Sequence, residues 1–153
     1  MTPEVTIVPY SKSYQKAFKE LNEAWISRFF SIEAEDIKTL SDPDKIIQEG
    51  GFIFVAIYNQ LPIGVCALKK TGIDTFEFSK MAVSETSQGL GVGHQLLTYA
   101  IEQARITGAK TLFLEGNTKL EASIHLYRKF GFKEVTSRES HFERVDIIME
   151  LSL

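Results

Sequence analysis

The chain has 153 residues and a mass of 17.3 kDa, a length that predicts a single domain over residues 1–153. Hydrophobic residues make up 44% of it and charged residues 24%, which excludes a disordered chain, a collagen-like repeat and a small disulfide-stapled scaffold. Seventeen basic and 20 acidic residues give a net charge of −3. Because the chain lacks a basic excess, we predict that it does not bind nucleic acid.

Cys66 is the only cysteine, which excludes an intrachain disulfide and a cysteine-rich zinc site. It lies in an apolar stretch, where we expect it to be a small buried hydrophobe. The three histidines share no metal-ligand spacing, so no metal site is predicted. No signal peptide is evident, and the longest apolar run, residues 52–58, is far shorter than the roughly 20 residues that span a bilayer. We therefore expect a cytoplasmic protein without a membrane partner.

The first third of the chain predicts one strand and three helices. A β-branched run at residues 5–8 stops at a proline, which cannot donate to a sheet. Ser11 is a candidate N-cap for a first helix, whose apolar residues recur at helical spacing. A second helix is predicted at residues 31–40, with acidic residues early. A short third helix opens at residues 42–44 and closes at the glycines of residues 50–51.

The middle of the chain predicts three strands. Residues 52–58 and 62–68 are joined by three residues, a spacing typical of a hairpin, and residues 76–83 form the third strand. Three such strands predict an antiparallel meander, with one face on the core and the other face wetter.

The last part alternates between helix and strand. A helix starting near Val92 and a helix at residues 120–130 enclose a strand at residues 111–115. Strands follow at residues 132–135 and 143–151. This order predicts an α/β domain with a single mixed, mostly antiparallel sheet flanked by helices. The apolar alternation of the last strand could serve the sheet of a homodimer or the core of the monomer.

A glycine-rich stretch, Gln-Gly-Leu-Gly-Val-Gly at residues 88–93, links a strand to a helix. Unpaired N–H groups and the dipole at a helix start favour an anion such as a phosphate. A Rossmann fingerprint starting at Gly89 would need glycine at position 94, which is His94, and the Lys-Ser or Lys-Thr of a P-loop is missing. A tight connection that needs glycines only for positive φ stays open as an alternative.

The remaining pattern, Gln88-x-x-Gly91-x-Gly93, resembles the acyl-CoA signature of the GNAT superfamily of N-acetyltransferases. The resemblance implies a GNAT-like fold in which the parallel strands 76–83 and 111–115 splay apart at the centre of the sheet. It also implies acetyl-CoA as co-substrate, with its pantetheine arm in the gap between those strands.

Residues 117–132 resemble the second signature of the same superfamily: an asparagine after a strand, a helix with Leu126-Tyr127, and then Gly-Phe. Asn117 lies ten residues before Tyr127, farther than in the usual N-x-x-A-x-x-x-Y register. That departure indicates a longer turn before the helix and leaves the role of Asn117 open.

The resemblance assigns roles in catalysis and binding. Tyr127 corresponds to the helix tyrosine that approaches the thioester sulfur and is the candidate acid, with packing in the core as the alternative. Glu77 is the candidate base, directly or through water, with a solvated surface carboxylate as the alternative. A backbone N–H of Ala82 or Val83 would bind the oxyanion. The candidate acetyl-CoA contacts are Met81, Ala82, Val83, Gln88, Gly89, Leu90, Gly91, Val92, Gly93, His94, Asn117 and Lys129.

The implied activity is acetyl transfer from acetyl-CoA to a primary amine, by direct attack in a ternary complex. The acceptor would be a small-molecule or peptide amine; the alternative is a non-catalytic module that binds or senses acyl-CoA. Three aromatic residues near the first two helices could wall the acceptor channel, and three acidic residues nearby could attract a cationic amine. These are Trp25, Phe29 and Phe30, then Glu33, Glu35 and Asp36.

Overall fold

The computed structural model describes residues 4–87 and 89–153. Gln88, one of the predicted acetyl-CoA contacts, lies outside the described residues. Within them the chain forms β1 (Thr6–Pro9), α1 (Gln15–Phe29), α2 (Ala34–Ser41), α3 (Asp44–Gln48), β2 (Phe52–Tyr58), β3 (Leu61–Lys70), β4 (Thr75–Val83), α4 (Val92–Ile106), β5 (Thr111–Gly116), α5 (Glu121–Lys129), β6 (Lys133–Val135) and β7 (Ile147–Ser152). None of the helices in these ranges is long and apolar enough to cross a membrane.

The strands form one seven-stranded sheet in the order β1-β2-β3-β4-β5-β7-β6. Every neighbouring pair is antiparallel except β4 and β5, which confirms the predicted mixed sheet. The parallel pair is short, because Thr75–Phe78 pair with Thr111–Leu114 and no further pair follows among the described residues. Residues 79–83 of β4 therefore border a gap, and the predicted splay at the centre of the sheet is present.

Helices cover both faces of the sheet. The α4 face holds a core that includes Phe78, Leu96 and Met149, and the α1 face holds a second core that includes Phe18 and Val65. All six residues from position 63 to position 68 of β3 are consequently buried. The prediction that one face of the meander is more exposed to water is therefore wrong, because α1 and α2 pack over that face. Cys66 is fully buried, as expected.

Several element boundaries differ from the predicted ones. The chain enters α1 through a 3₁₀ turn at Lys12–Tyr14. The hairpin between β2 and β3 has a two-residue turn, Asn59-Gln60, in which both residues have positive φ (51° and 66°). Such a turn matches the right-handed twist of the flanking strands, and it lets β3 begin one residue earlier than expected. At α2, Glu33 N donates to Asp36 Oδ2 (2.9 Å), which places the helix start at Ala34.

The last strand begins at Ile147 rather than at residue 143. The preceding segment is held instead by groups outside the sheet. Asn117 Nδ2 donates to Arg144 O (2.6 Å), and the N–H of Glu143 donates to Glu33 Oε1 (3.0 Å). These bonds draw the segment toward α2 and away from sheet pairing.

β7 lies between β5 and β6 and pairs with both. Ile147, Met149 and Leu151 belong to the core on the α4 face. The apolar alternation of this strand thus serves the core of the monomer.

A buried group of charges ties α2 to β4 and to the segment before β7. Asp36, with no exposed surface, lies 2.6 Å from Lys80 Nζ and receives two hydrogen bonds from Arg144 (2.6 and 2.7 Å). Arg144 also pairs with Glu33 at 3.2 Å. We call these four residues the Asp36 cluster. Lys80 has a positive φ of 54° and stands where the β3–β4 register shifts, one residue after Ser79, which pairs with Ala67.

Two opposing effects set the pKa of Asp36. Burial acts to raise it, because a charged carboxylate loses its water. The hydrogen bonds from Arg144 and Lys80 outweigh burial and lower the pKa from 3.8 to about 2. Asp36 is therefore ionised in the folded protein at every ordinary pH.

We expect Asp36→Ala to lower the free energy of unfolding by about 3–5 kcal/mol, because it removes the ion-pair partner of Lys80 and leaves Arg144 with Glu33 alone. Glu35→Ala, at an exposed neighbouring position of α2, is the matched control and should change stability by less than about 0.5 kcal/mol. Urea denaturation at pH 7 measures both, and equal losses would contradict the role of the cluster.

The effect of Asp36→Ala on stability should depend on pH. Since the pKa of Asp36 is lower in the folded chain than in the unfolded chain, its stabilising effect is present above about pH 4 and is lost as the pH falls toward 2. The difference in stability between wild type and Asp36→Ala should narrow across that range.

Candidate active site

A cavity of about 130 Å³ opens where β4 and β5 separate. Residues of α1, β4, β5 and α5 line it, together with the segment before β7. Both catalytic candidates, Glu77 and Tyr127, are among the lining residues. The structure therefore brings together two residues that stand 50 positions apart in the sequence.

The two candidates reach the cavity from opposite faces of the sheet. Phe76 and Phe78 lie in the core on the α4 face, so Glu77 between them faces α1. Tyr127 packs on the α4 face, with its ring 6.4 Å from Phe78 and 5.9 Å from Phe132 between centroids. They can meet only because the sheet is open at this point.

Tyr127 packs in the core with its ring and lines the cavity. Its ring packs edge-on against core aromatics. Its hydroxyl makes no hydrogen bond within the part of the chain that the structure describes, and burial raises its pKa above the ordinary value of 10. The phenol therefore stays protonated at neutral pH and is free to donate to a ligand in the cavity.

Glu77 is not a solvated surface carboxylate. Burial first, and then the charge of Glu115, raise its pKa from 4.5 to about 7, although Lys69, Lys80 and Arg138 act in the opposite direction. A carboxyl group with this pKa can accept and release a proton near neutral pH, which suits a general base.

Glu115 is a cavity residue that the sequence analysis did not single out. It lies on β5, two positions after Phe113, the residue that pairs with Glu77. Side chains two positions apart share a face, so Glu115 faces α1 as Glu77 does. Finding it requires the register of the parallel pair, which the sequence pattern does not contain.

The glycine-rich turn before α4 has open surroundings. Gly89 (φ +88°) and Gly91 (φ +70°) adopt the left-handed conformation, and a Cβ on either would meet nothing within 4 Å. Gly91 is the N-cap of α4 and offers no side chain to the first helical turn. The N–H groups that follow are therefore available to a ligand.

The other predicted contacts of this turn differ in exposure. Val92 is buried under the sheet, so only its backbone can face a ligand. Leu90 is 38% exposed, and Gly93 is close to Met81, whose sulfur would lie 3.7 Å from an added Cβ. His94 is exposed, with its ring 4.9 Å from that of Phe130.

Ala82 is buried in the core on the α1 face, and Val83 packs against the core on the α4 face. Lys129 is exposed in the last turn of α5 and does not line the cavity. Asn117 does line it, but its amide is used within the protein: it donates to Arg144 O and accepts from Lys119 N (2.8 Å). Its side chain shapes the long turn before α5.

Aromatic residues form the α1 side of the cavity. Trp25 and Phe30 line it, as predicted, and Phe29 packs on Trp25 with 5.0 Å between centroids. Phe142, from the segment before β7, completes this wall and lies against Lys80 (5.0 Å) and Arg144 (4.5 Å). The sequence does not predict the place of Phe142, because the path of the segment before β7 depends on its bonds to Glu33 and Asp36.

The acidic residues expected to attract an amine have other roles. Glu33 and Asp36 are bound to the cations of the Asp36 cluster, and Glu35 is exposed. Negative charge in the cavity comes instead from Glu77 and Glu115.

Comparison with known proteins identifies the family. Residues 49–134 match the model of the acetyltransferase (GNAT) domain, which is more than half of the chain. The chain is 37% identical over 106 residues to the uncharacterized N-acetyltransferase YvbK of Bacillus subtilis (strain 168), covering 66% of this chain and 68% of that protein. It is 32% identical over 92 residues to the ribosomal protein bS18-alanine N-acetyltransferase of Escherichia coli (strain K12), covering 57% of this chain and 62% of that protein.

Solved structures share the fold over nearly the whole chain. A GNAT-family acetyltransferase from Staphylococcus aureus Mu50 superposes with a TM-score of 0.87 at 20% identity, covering 97% of this chain and 98% of that one. A GNAT-family acetyltransferase from Elizabethkingia anophelis, solved with acetyl-CoA bound, gives a TM-score of 0.67 at 23% identity. The match covers 98% of this chain and 99% of that one. With its domain match, its relatives and its splayed sheet in agreement, the chain belongs to the GNAT acetyltransferase family.

Proposed function

We propose that this protein transfers the acetyl group of acetyl-CoA to a primary amine by direct attack within a ternary complex. The observation that carries the proposal is the gap between β4 and β5, which admits Tyr127 from one face of the sheet and Glu77 from the other into one cavity. A module that only senses acyl-CoA needs no acid and base in a shared cavity.

The proposal assigns acetyl-CoA to the glycine turn and the open edge of β4. The N–H groups after Gly91 would bind the diphosphate, and the backbone of residues 79–83 would pair with the pantetheine amides. His94 and Lys129 are exposed and would contact the coenzyme's phosphates, and a contact from Gln88 stays a prediction. The relative from Elizabethkingia anophelis, with acetyl-CoA bound, supports this choice of co-substrate.

The chemistry requires the amine nitrogen to lose two protons and the leaving thiolate to gain one. A lysine-like amine with a pKa of about 10.4 is almost entirely protonated at pH 7, so Glu77 takes the first proton from it and frees the lone pair. The lone pair attacks the thioester carbonyl, and the oxyanion is bound by the N–H of Ala82 or Val83. When the carbon–sulfur bond breaks, Tyr127 gives its proton to the leaving thiolate, and the second proton of the nitrogen passes through water to the tyrosinate and restores the phenol. Glu77 then releases its proton to solvent.

Acetyl transfer and the identity of the acceptor are tested together by a thiol-release screen. Purified protein and acetyl-CoA are mixed with small amines, amino acids and short peptides, among them a peptide with N-terminal alanine because of the relative from Escherichia coli. Release of CoA with at least one amine supports the proposal. Tight binding of acetyl-CoA by calorimetry without release from any amine would favour the sensing module.

We expect Gly91→Ala to weaken acetyl-CoA binding by about tenfold or more, because the added methyl group projects into the open turn where the diphosphate would lie. Gly108→Ala is the matched control. It has a similar φ (+84°) and equally open surroundings at the other end of α4, so both variants carry the same backbone cost of about 1–2 kcal/mol. Calorimetry should show a weaker Kd only for Gly91→Ala; an equal change in both would contradict the assignment.

We expect Tyr127→Phe to lower kcat by about 100-fold, because the ring stays in place and only the proton donor is lost. The Kd for acetyl-CoA and the melting temperature should not change. Tyr99→Phe, on the exposed side of α4, serves as control and should keep full kcat. An unchanged kcat in Tyr127→Phe would show that Tyr127 is not the acid.

We expect the kcat of the wild type to rise with pH and to level off above about pH 7, because Glu77 accepts a proton only when ionised and its pKa is about 7. Glu77→Gln should lower kcat by about 100-fold and abolish this inflection. Glu115→Gln should move the inflection to lower pH, since Glu115 raises the pKa of Glu77. Glu102→Gln, exposed on α4, should leave the profile unchanged.

A further inference from the structure

Ser79 has a buried hydroxyl without a partner. Its Oγ is shielded from solvent and makes no hydrogen bond to any residue that the structure describes. A buried hydroxyl is normally satisfied, because leaving it unpaired is costly. Ser79 is among the residues that line the cavity, so a rotation of its side chain would give the hydroxyl a partner on a ligand there.

The position of Ser79 places it beside two carboxylates. Phe78 and Leu114 are the last pair of the parallel strands, so Ser79 and Glu115 are the next residues on either side of the gap. Ser79 pairs with Ala67, which belongs to the core on the α1 face, and Glu77 is two positions away on that same face. Three oxygen-bearing side chains thus surround the α1 side of the gap.

The charges of the side chains that line the cavity do not cancel on the α1 side of the gap. Lys80 and Arg144 also line the cavity, but they pair with Asp36 and Glu33, so these two cations and two carboxylates sum to zero. The negative charge of Glu77 and Glu115 remains among the lining residues. Two further cations lie near Glu77 without lining the cavity: Lys69, which stands opposite it on β3, and Arg138, which pairs with Glu150. A cation is therefore attracted into the cavity, whereas a carboxylate finds no unpaired cation among the lining residues.

We propose that Glu77, Ser79 and Glu115 hold the acceptor as a primary ammonium group through its three N–H donors, and that the acceptor has no carboxylate next to that amine. The inference rests on the proposed function, since it assumes that this side of the gap is the acceptor site. It narrows the acceptor to alkyl or aralkyl amines and to the N-termini of peptides, and it excludes free amino acids. The aromatic wall of Trp25, Phe30 and Phe142 suits an apolar carbon skeleton behind the amine.

The test uses the fluorescence of Trp25, which is the only tryptophan and lines the cavity. The full-length protein, with and without saturating CoA, is titrated with 2-phenylethylamine, with L-phenylalanine and with the N,N,N-trimethyl derivative of 2-phenylethylamine. These share one skeleton and differ by a carboxylate or by the loss of all N–H donors. We expect 2-phenylethylamine to bind on the order of tenfold tighter than L-phenylalanine or the trimethyl derivative, because hydrogen bonds to a charged group are stronger than neutral ones.

Variants separate a binding role for Ser79 from a structural one. Ser79→Ala should weaken 2-phenylethylamine binding by about tenfold, and Ser79→Thr, which keeps the hydroxyl, should restore most of it. The melting temperature of Ser79→Ala should stay the same or rise, because the lost hydroxyl had no protein partner. Ser152→Ala, at an exposed position of β7, is the matched control and should bind like the wild type.

Equal binding of the three probes, undetectable binding of 2-phenylethylamine, or unchanged affinity in Ser79→Ala would each overturn the inference. Failure of the proposed function is recognised separately. If the probes discriminate as expected but calorimetry detects no acetyl-CoA binding, the amine site stands and the transferase assignment fails. If acetyl-CoA binds and thiol is released while the probes do not discriminate, the transferase stands and the ammonium site is wrong.

Discussion

The early separation of β4 and β5 is the constraint on which the site depends. A continuous sheet would hold Glu77 and Tyr127 on opposite sides of a wall of hydrogen-bonded backbone. Because pairing ends at Phe78 and Leu114, both side chains reach one cavity, and the backbone after Phe78 is left with an unpaired edge. One interruption of the sheet therefore provides the meeting place for acid and base and the groups that can pair with an extended ligand.

The open sheet has to be held open, and polar groups do so on the α1 face. Lys80, at the irregular position of β4, reaches Asp36 of α2, which in turn is bound by Arg144 from the segment before β7. Burying these charges is costly in itself, but each is compensated by another. The same arrangement neutralises the cations of the cavity, and it leaves Glu77 and Glu115 to determine the sign of the charge that a ligand meets.

Much of this architecture is visible in the sequence, and the rest depends on contacts between distant segments. The glycine turn and the order of the strands along the chain follow from local spacing, because turns and periodicity are local properties. The place of Tyr127 is implied by the resemblance of residues 117–132 to a family signature. Glu115 was not found, since its approach to Glu77 depends on the register of a parallel pair. The last strand is predicted from residue 143 because apolar residues alternate from Val145 to Leu151, whereas bonds from Glu143 and Arg144 to the start of α2 keep residues 143–146 out of the sheet.

The link between Asp36 and Arg144 joins residues 108 positions apart, which has a consequence for biosynthesis. Contacts of such long separation form late, after the local hairpins and helices. During translation the glycine turn and α4 emerge well before Arg144. The residues proposed to bind the coenzyme can therefore fold while Arg144 is still inside the ribosome. We therefore expect a nascent chain to remain inactive as a catalyst until Arg144 has left the ribosome.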